Sequence, residues 1–203
     1  MISCPDVHKD VIRKHYNIAT LFYRSLWGQH IHHELWSGDE SPSVEARQLT
    51  EQLAIEADIQ QGDRVVDIGC GRGGSSIDLA KQLKCQVTGV TISSCQKRYA
   101  TWSSRFAGTS SATEFLWLDA ETVEFPQDSL DVAWSVKCTE HLFDKAAFFQ
   151  KMTTWLRPGG KVAIGACFAG DDPLSEPQQK LVYDVCEGFF CPSLGSKKTI
   201  PTG

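Results

Sequence analysis

From Gly62 onward, short apolar runs alternate with stretches whose apolar residues recur at helical spacing. Arg64 to Ile68, Gln86 to Val90, Glu114 to Leu118, Leu130 to Val136 and Lys161 to Phe168 read as strands. Between them, Ser75 to Lys84, Ser94 to Phe106 and Lys145 to Leu156 read as helices. Strands that alternate with helices pair in parallel through right-handed crossovers, so the expected fold class is α/β. Arg157-Pro158-Gly159-Gly160 reads as a turn, because proline lacks an N–H and glycine takes conformations that stop a helix. The first 60 residues differ in character. They are helical, aromatic and rich in histidine, and Val44 to Ala57 is an amphipathic helix leading into the α/β region. No internal repeat or low-complexity tract interrupts the chain.

Composition narrows the class. A chain of 203 residues with 41% hydrophobic content suits one domain with a substantial core. The formal charge of −5 argues against a nucleic-acid backbone as partner and against an anionic membrane surface. No apolar run approaches the roughly 20 residues that span a bilayer, and Met1 to Arg13 lacks the apolar centre of a secretory signal. The eight cysteines form no C-x-x-C pair, and Cys186 and Cys191, the nearest two, have no histidine nearby. They are expected to be reduced, structural thiols in a cytoplasmic protein that holds no metal.

The run Val65-Val66-Asp67-Ile68-Gly69-Cys70-Gly71-Arg72-Gly73-Gly74 is a strand, a glycine-rich turn and the start of a helix. Such a turn lets the backbone approach a ligand, and the helix N-terminus offers unpaired N–H groups. Gly69, Gly71 and Gly74 match the dinucleotide pattern G-x-G-x-x-G. Asp67 points elsewhere, since a fixed anion beside the turn repels a pyrophosphate. S-adenosylmethionine carries an ammonium and a sulfonium and no phosphate, so it suits the acid better. Dinucleotide binders also place an acid about 20 residues on for the ribose, whereas the second strand ends in Thr91-Ile92-Ser93-Ser94-Cys95-Gln96.

Thr88-Gly89-Val90-Thr91-Ile92-Ser93 followed by Gln96 resembles class I S-adenosylmethionine-dependent methyltransferases of the tocopherol, coclaurine and sterol type. The resemblance implies a doubly wound, mainly parallel Rossmann-like sheet of order 3-2-1-4-5, with a helical lid over residues 1–60, a cofactor-binding core over 61–169 and a partial cap with a divergent tail over 170–203. It implies that Asp67, Gly69, Cys70, Gly71 and Gly73 form the cofactor loop, and that Thr91, Ile92 and Gln96 take over the ribose contacts. Asp119 would accept from the adenine amino group and Ala120 would donate its backbone N–H to the ring, although an aspartate there also suits a helix cap. Trp117 is read as packing. Lys137 follows the fourth strand on the cofactor side.

Glu140-His141 looks like the pair that orients or deprotonates an amine in coclaurine-type enzymes, and these two are the expected catalytic residues. The alternative is a pair that binds backbone at a helix start. The segment Phe22 to Trp36 reads like the family's N-terminal lid, with Tyr16, Trp27 and Trp36 walling the sulfonium and the acceptor. His30, His32 and His33 lack acidic or cysteine companions at ligand spacing.

The resemblance runs from about His15 to Ser193, while the family's sheet carries two further strands after the fifth. Leu174 to Phe190 looks like the family's cap insertion. Without those strands, the apolar fifth strand is expected to form an exposed edge, open to self-association or to a partner chain. The expected function is methyl transfer from S-adenosylmethionine to a small, lipophilic metabolite at carbon, nitrogen or oxygen. The alternative is a non-catalytic, cofactor-binding subunit of a full-length methyltransferase. Neither nucleic acid nor stable membrane anchoring is expected.

Overall fold

The computed structural model describes residues 2–4, 6–27, 42–168 and 173–194, with the side chains of 2, 3, 21–27, 42, 43, 193 and 194 left out. In chain order its elements are β1 (Ile2–Ser3), α1 (Lys9–Trp27), α2 (Pro42–Glu56), β2 (Arg64–Ile68), α3 (Gly74–Gln82), β3 (Gln86–Thr91), α4 (Ser94–Ala107), β4 (Thr113–Trp117) and β5 (Leu130–Val136). A 3-10 turn (Thr139–His141), α5 (Lys145–Trp155), β6 (Leu156–Gly165), α6 (Glu176–Gly188) and β7 (Ser193–Leu194) complete the described chain.

Five parallel strands form a sheet of order β4-β3-β2-β5-β6. Counted from β2, this is the expected 3-2-1-4-5. The pleat sends alternate residues of each strand to opposite faces, and both faces are covered. Val65, Val87, Val132 and Trp134 pack with Leu79 and Ala80 of α3 and Ala54 of α2. Val66, Ile68, Val90 and Ala133 pack with Phe148, Met152 and Trp155 of α5. The central β2 is therefore apolar on both sides, which is why its run of valine and isoleucine does not alternate. The exception is Asp67, and it stands at the carboxyl end where a crevice opens.

The sequence places a turn at residues 157–160, but β6 already begins at Leu156, which pairs with Leu130. The register then slips, and Lys161 pairs with Val132. Gly159, at φ +78°, allows the extra residues to loop out without ending the strand. Asp131 anchors this bulge. Its carboxylate accepts from the Arg64 backbone N–H at 2.7 Å and from the guanidiniums of Arg64 and Arg157. Beyond the bulge, β6 pairs with β5 alone among the described residues, and Val162 and Phe168 stay exposed.

The expected cap, Leu174 to Phe190, contains α6. It starts at a capping box in which Ser175 and Gln178 bond reciprocally, with proline in the first turn. Cys186 of α6 packs with Cys4, Val7 and Ile12, so the chain's first dozen residues and the cap share a small core of their own. β1 and β7 pair antiparallel and close it. Among the described residues, no helix is long and apolar enough to cross a membrane.

Candidate active site

A cavity opens at the carboxyl ends of β2, β3 and β5, the end of an open α/β sheet where ligands bind. The β2–α3 turn makes one wall. Gly69 and Cys70 both donate their backbone N–H to the Val90 carbonyl, at 2.9 and 3.0 Å, which bends the turn over the neighbouring strand. A Cβ on Gly69 would lie 2.3 Å from Cβ and Sγ of Cys138, so only glycine fits. Gly69, Cys70 and Gly71 line the cavity. Gly73 does not. It faces away, where an added Cβ would stand 2.9 Å from Ala100 and 3.0 Å from Phe115, so its absent side chain serves the close packing of α3 on α4.

Asp67 is buried on the cavity wall and accepts from Ser76 Oγ at 2.5 Å. At the β3 tip, Thr91 donates to Gln96 Oε1 at 2.7 Å, and the Ser93 hydroxyl caps α4 by accepting from the Gln96 N–H. Thr91, Ile92 and Gln96 all line the cavity. The Ile92 carbonyl accepts from the Trp117 indole, whose ring stays outside the cavity lining.

Asp119 and Ala120 line the far side. Asp119 Oδ1 accepts from the Glu121 N–H, and Lys9 of α1 reaches across to Asp119 Oδ2 and Glu121 Oε2, each at 2.5 Å. Burial alone would lower the Lys9 pKa, but the two carboxylates raise it above its ordinary value. Lys9, Ile12 and Tyr16 stand three and four residues apart on one face of α1 and all line the cavity.

The β5 end carries the chemistry-bearing groups. Lys137 takes a left-handed conformation (φ +54°), lines the cavity and donates from Nζ to Cys167 Sγ at 2.6 Å. Cys138 beside it is half-buried, and its thiol is pushed up to about 12, first by desolvation and then by Glu140 and Asp67. The 3-10 turn then separates the expected catalytic pair. Glu140 is buried outside the cavity lining, where Oε1 accepts from the Cys167 N–H at 2.8 Å and so secures the chain beyond β6.

His141 faces inward. Its Nδ1 lies 3.1 Å from the Phe190 carbonyl and its Nε2 lies 2.8 Å from the Tyr16 hydroxyl. A carbonyl can only accept, so Nδ1 carries the proton, Nε2 is the acceptor, and Tyr16 donates to it. Burial lowers the His141 pKa, against the smaller raising effects of the Phe190 carbonyl and Glu140, so the ring is neutral near pH 7. The Trp27 side chain and Trp36 lie outside the described residues, as do His30, His32 and His33.

A methyltransferase-domain family model matches residues 65–160, the span from β2 to the β6 bulge. The 27-O-demethylrifamycin SV methyltransferase of Amycolatopsis mediterranei is 34% identical over 87% of this chain and 66% of its own length. The chloroplastic tocopherol O-methyltransferase of Arabidopsis thaliana is 28% identical over 90% of this chain and 58% of its own. The chain belongs to the class I S-adenosylmethionine-dependent methyltransferases. In fold, this methyltransferase is similar to the geranyl diphosphate C-methyltransferase of Streptomyces coelicolor, solved with S-adenosyl-L-homocysteine, at a TM-score of 0.74 and 20% identity over 96% of this chain and 77% of that one. The chain spans between about half and two thirds of the length of the curated relatives it matches.

The cavity suits the family's cofactor at both ends. Arg72 lines it and is 2% exposed, with its guanidinium 4.2 Å above the Tyr99 ring; Nε and Nη1 have no hydrogen-bond partner among the described residues. A buried guanidinium with free donors calls for an anion. With Asp67 on the same wall, the amino-acid end of S-adenosylmethionine would find an acid for its ammonium and a guanidinium for its carboxylate. The glycine turn leaves room for backbone contact, and Asp119 presents a carboxylate for the adenine amine that Lys9 would have to share. Lys9 and Arg72 are the site residues that motif reading passes over. Lys9 meets Asp119 from 110 positions away, and its face with Ile12 and Tyr16 is the one sequence signal that marks it.

Proposed function

We propose that this methyltransferase transfers a methyl group to a hydroxyl of a small, lipophilic acceptor, with Tyr16 and His141 managing the proton. The observation that carries the reading is the tautomer of His141. It is neutral, fixed by the Phe190 carbonyl, and holds its acceptor nitrogen 2.8 Å from a hydroxyl on the cavity wall. The first two curated relatives bear names of oxygen methylation.

S-adenosylmethionine, when bound, supplies a methyl group on a positively charged sulfur. The chain's own groups supply the rest. Asp67 and Arg72 hold the two charges of the amino-acid end, Thr91 and Gln96 the ribose, and Asp119 and Ala120 the adenine. Such contacts align donor and acceptor. Tyr16 presents its oxygen to the acceptor. As the acceptor hydroxyl loses its proton to the Tyr16 oxygen, the Tyr16 proton passes to His141 Nε2, and the resulting imidazolium keeps its Nδ1 bond to Phe190. Glu140 acts by holding the segment that carries His141. Residues 1–60 and the cap at 170–203 act as the lid. A cytoplasmic setting suits the eight cysteines, all of them free.

Methyl transfer from radiolabelled donor to a panel of phenols, alcohols and amines tests the reading. Label on phenolic or alcoholic oxygen, abolished by His141→Ala, is expected. Label on amines alone, or turnover indifferent to His141→Ala, contradicts it.

A further inference from the structure

We propose that the outer face of α4 docks this protein reversibly on an anionic lipid surface. The inference goes beyond methyl transfer and does not depend on it. The face is made by Arg98, Trp102, Arg105 and Phe106, all exposed and spaced four, three and one residues apart, which sets them within about 100° of arc on a helix turning once per 3.6 residues. Trp102 is 53% and Phe106 74% exposed, and their rings meet edge to face with centroids 4.3 Å apart. Single exposed apolar residues are ordinary, but two large aromatics in contact in solvent form a patch.

Charge chooses the occupant. The chain as a whole is acidic, with 25 Asp and Glu against 20 Lys and Arg. Yet α4, Ser94–Ala107, carries Lys97, Arg98 and Arg105 and no acidic residue. Among the described residues neither Arg98 nor Arg105 makes an ion pair with an acid. The acid nearest in sequence on the adjoining edge strand, Glu114, has the opposite pleat parity from Phe115, which packs towards α4. Arginine beside tryptophan and phenylalanine on one helical face is the pattern that sits at the headgroup level, with rings at the acyl boundary and cations on the phosphates. The overall negative charge opposes approach at long range, but screening confines that opposition to about 8 Å at physiological salt, so the local cations decide at contact.

The position adds a consequence. Gln96 in the first turn of α4 lines the cavity, and Trp102 lies six residues further, about 9 Å along the helix axis. A docked α4 therefore brings the cavity close to the lipid, where a lipophilic acceptor is concentrated.

Flotation of the chain with vesicles of phosphatidylcholine alone, and of phosphatidylcholine mixed with phosphatidylglycerol, tests the proposal. Binding to the mixed vesicles only is expected. Arg98→Gln with Arg105→Gln should weaken it about fivefold for each cation removed, roughly 25-fold together. Brominated phosphatidylglycerol should quench the fluorescence of the unaltered chain, and Trp102→Phe should remove that quenching. No binding to either vesicle, equal binding to both, or quenching unchanged in Trp102→Phe would overturn the proposal. So would a dimer in sedimentation velocity that Trp102→Ser with Phe106→Ser dissolves, because the face would then belong to a second copy of this chain.

Discussion

Tyr16 of the lid helix and His141 after β5 stand 125 positions apart in the chain, and their Oη and Nε2 atoms stand 2.8 Å apart in the structure. A hydrogen bond therefore joins α1 to the carboxyl end of the sheet. Tyr16→Phe keeps the ring and removes the relay, so kcat should fall by about 100-fold, the lower end of what general acid–base groups contribute, with little change in donor affinity. Loss of donor binding in step with kcat would show that the tyrosine only holds the lid.

The same pair sets a pH dependence. Burial lowers the His141 pKa below its ordinary 6.5. The base form is the active one, so activity should rise with pH through a midpoint below 6.5 and stay flat through neutrality. A profile of kcat against pH checks this, and an acid limb centred at or above 6.5 would contradict it.

Lys9 ties α1 to the segment after β4 through Asp119 and Glu121, the proposed lid to the proposed adenine end. Partly exposed pairs of this kind contribute only about 1 kcal/mol, so Lys9→Met should shift the melting midpoint little. The lid should nonetheless open more often. Stopped-flow measurement should find S-adenosylhomocysteine leaving about 3- to 10-fold faster, as roughly 1 kcal/mol of lost contact predicts. An unchanged rate would mean that α1 does not gate the cavity.

Gly69 and Cys138 form a steric pair. Gly69→Ala should cost about 2–4 kcal/mol, from overpacking against Cys138 and from a side chain held at positive φ, and should abolish donor binding. Adding Cys138→Gly removes both clashing atoms and should restore part of the stability and of the binding. Chemical denaturation of the two single variants and the double variant measures the coupling, and strict additivity would refute the contact.

Asp131 governs acid stability at the opposite end of the sheet. Burial by itself would raise its pKa, but the Arg64 N–H and the two guanidiniums hold it at about 2, against 3.8 unperturbed. Its contribution is complete above about pH 5 and is lost progressively as pH falls from there to about 1. Because both arginines are about half exposed, Asp131→Asn should cost only about 1–2 kcal/mol at pH 7. That difference should shrink through pH 2 and vanish by about pH 1, below both pKa values, and a difference undiminished there would contradict the ion-pair account.

The sheet was legible because its central strands, β2, β3 and β5, are largely buried and so read as apolar runs. The β6 bulge was not, since Pro158-Gly159-Gly160 has the composition of a turn, and pairing with β5 on either side keeps it in the strand. In the cavity, Asp67 was readable from the strand and glycine turn it stands in, whereas Thr91, Gln96 and Asp119 were marked by the family resemblance. Glu140 was misleading: adjacent residues in a helical turn point apart, so when His141 faces the cavity its neighbour turns to the Cys167 backbone. Gly73 belongs to the same glycine run as Gly69 but serves the α3–α4 contact. Lys9 and the Phe190 carbonyl reach the site from distant segments; helical spacing groups Lys9 with Ile12 and Tyr16 but does not say what that face meets.

The most direct test is calorimetric titration of S-adenosylmethionine into the chain and into Asp67→Asn. The account predicts saturable binding to the first and a loss of at least about 100-fold in the second, the scale for leaving a buried ammonium unpaired. Absence of heat with the unaltered chain, or equal affinity in both, would contradict the assignment of this cavity to a cationic methyl donor.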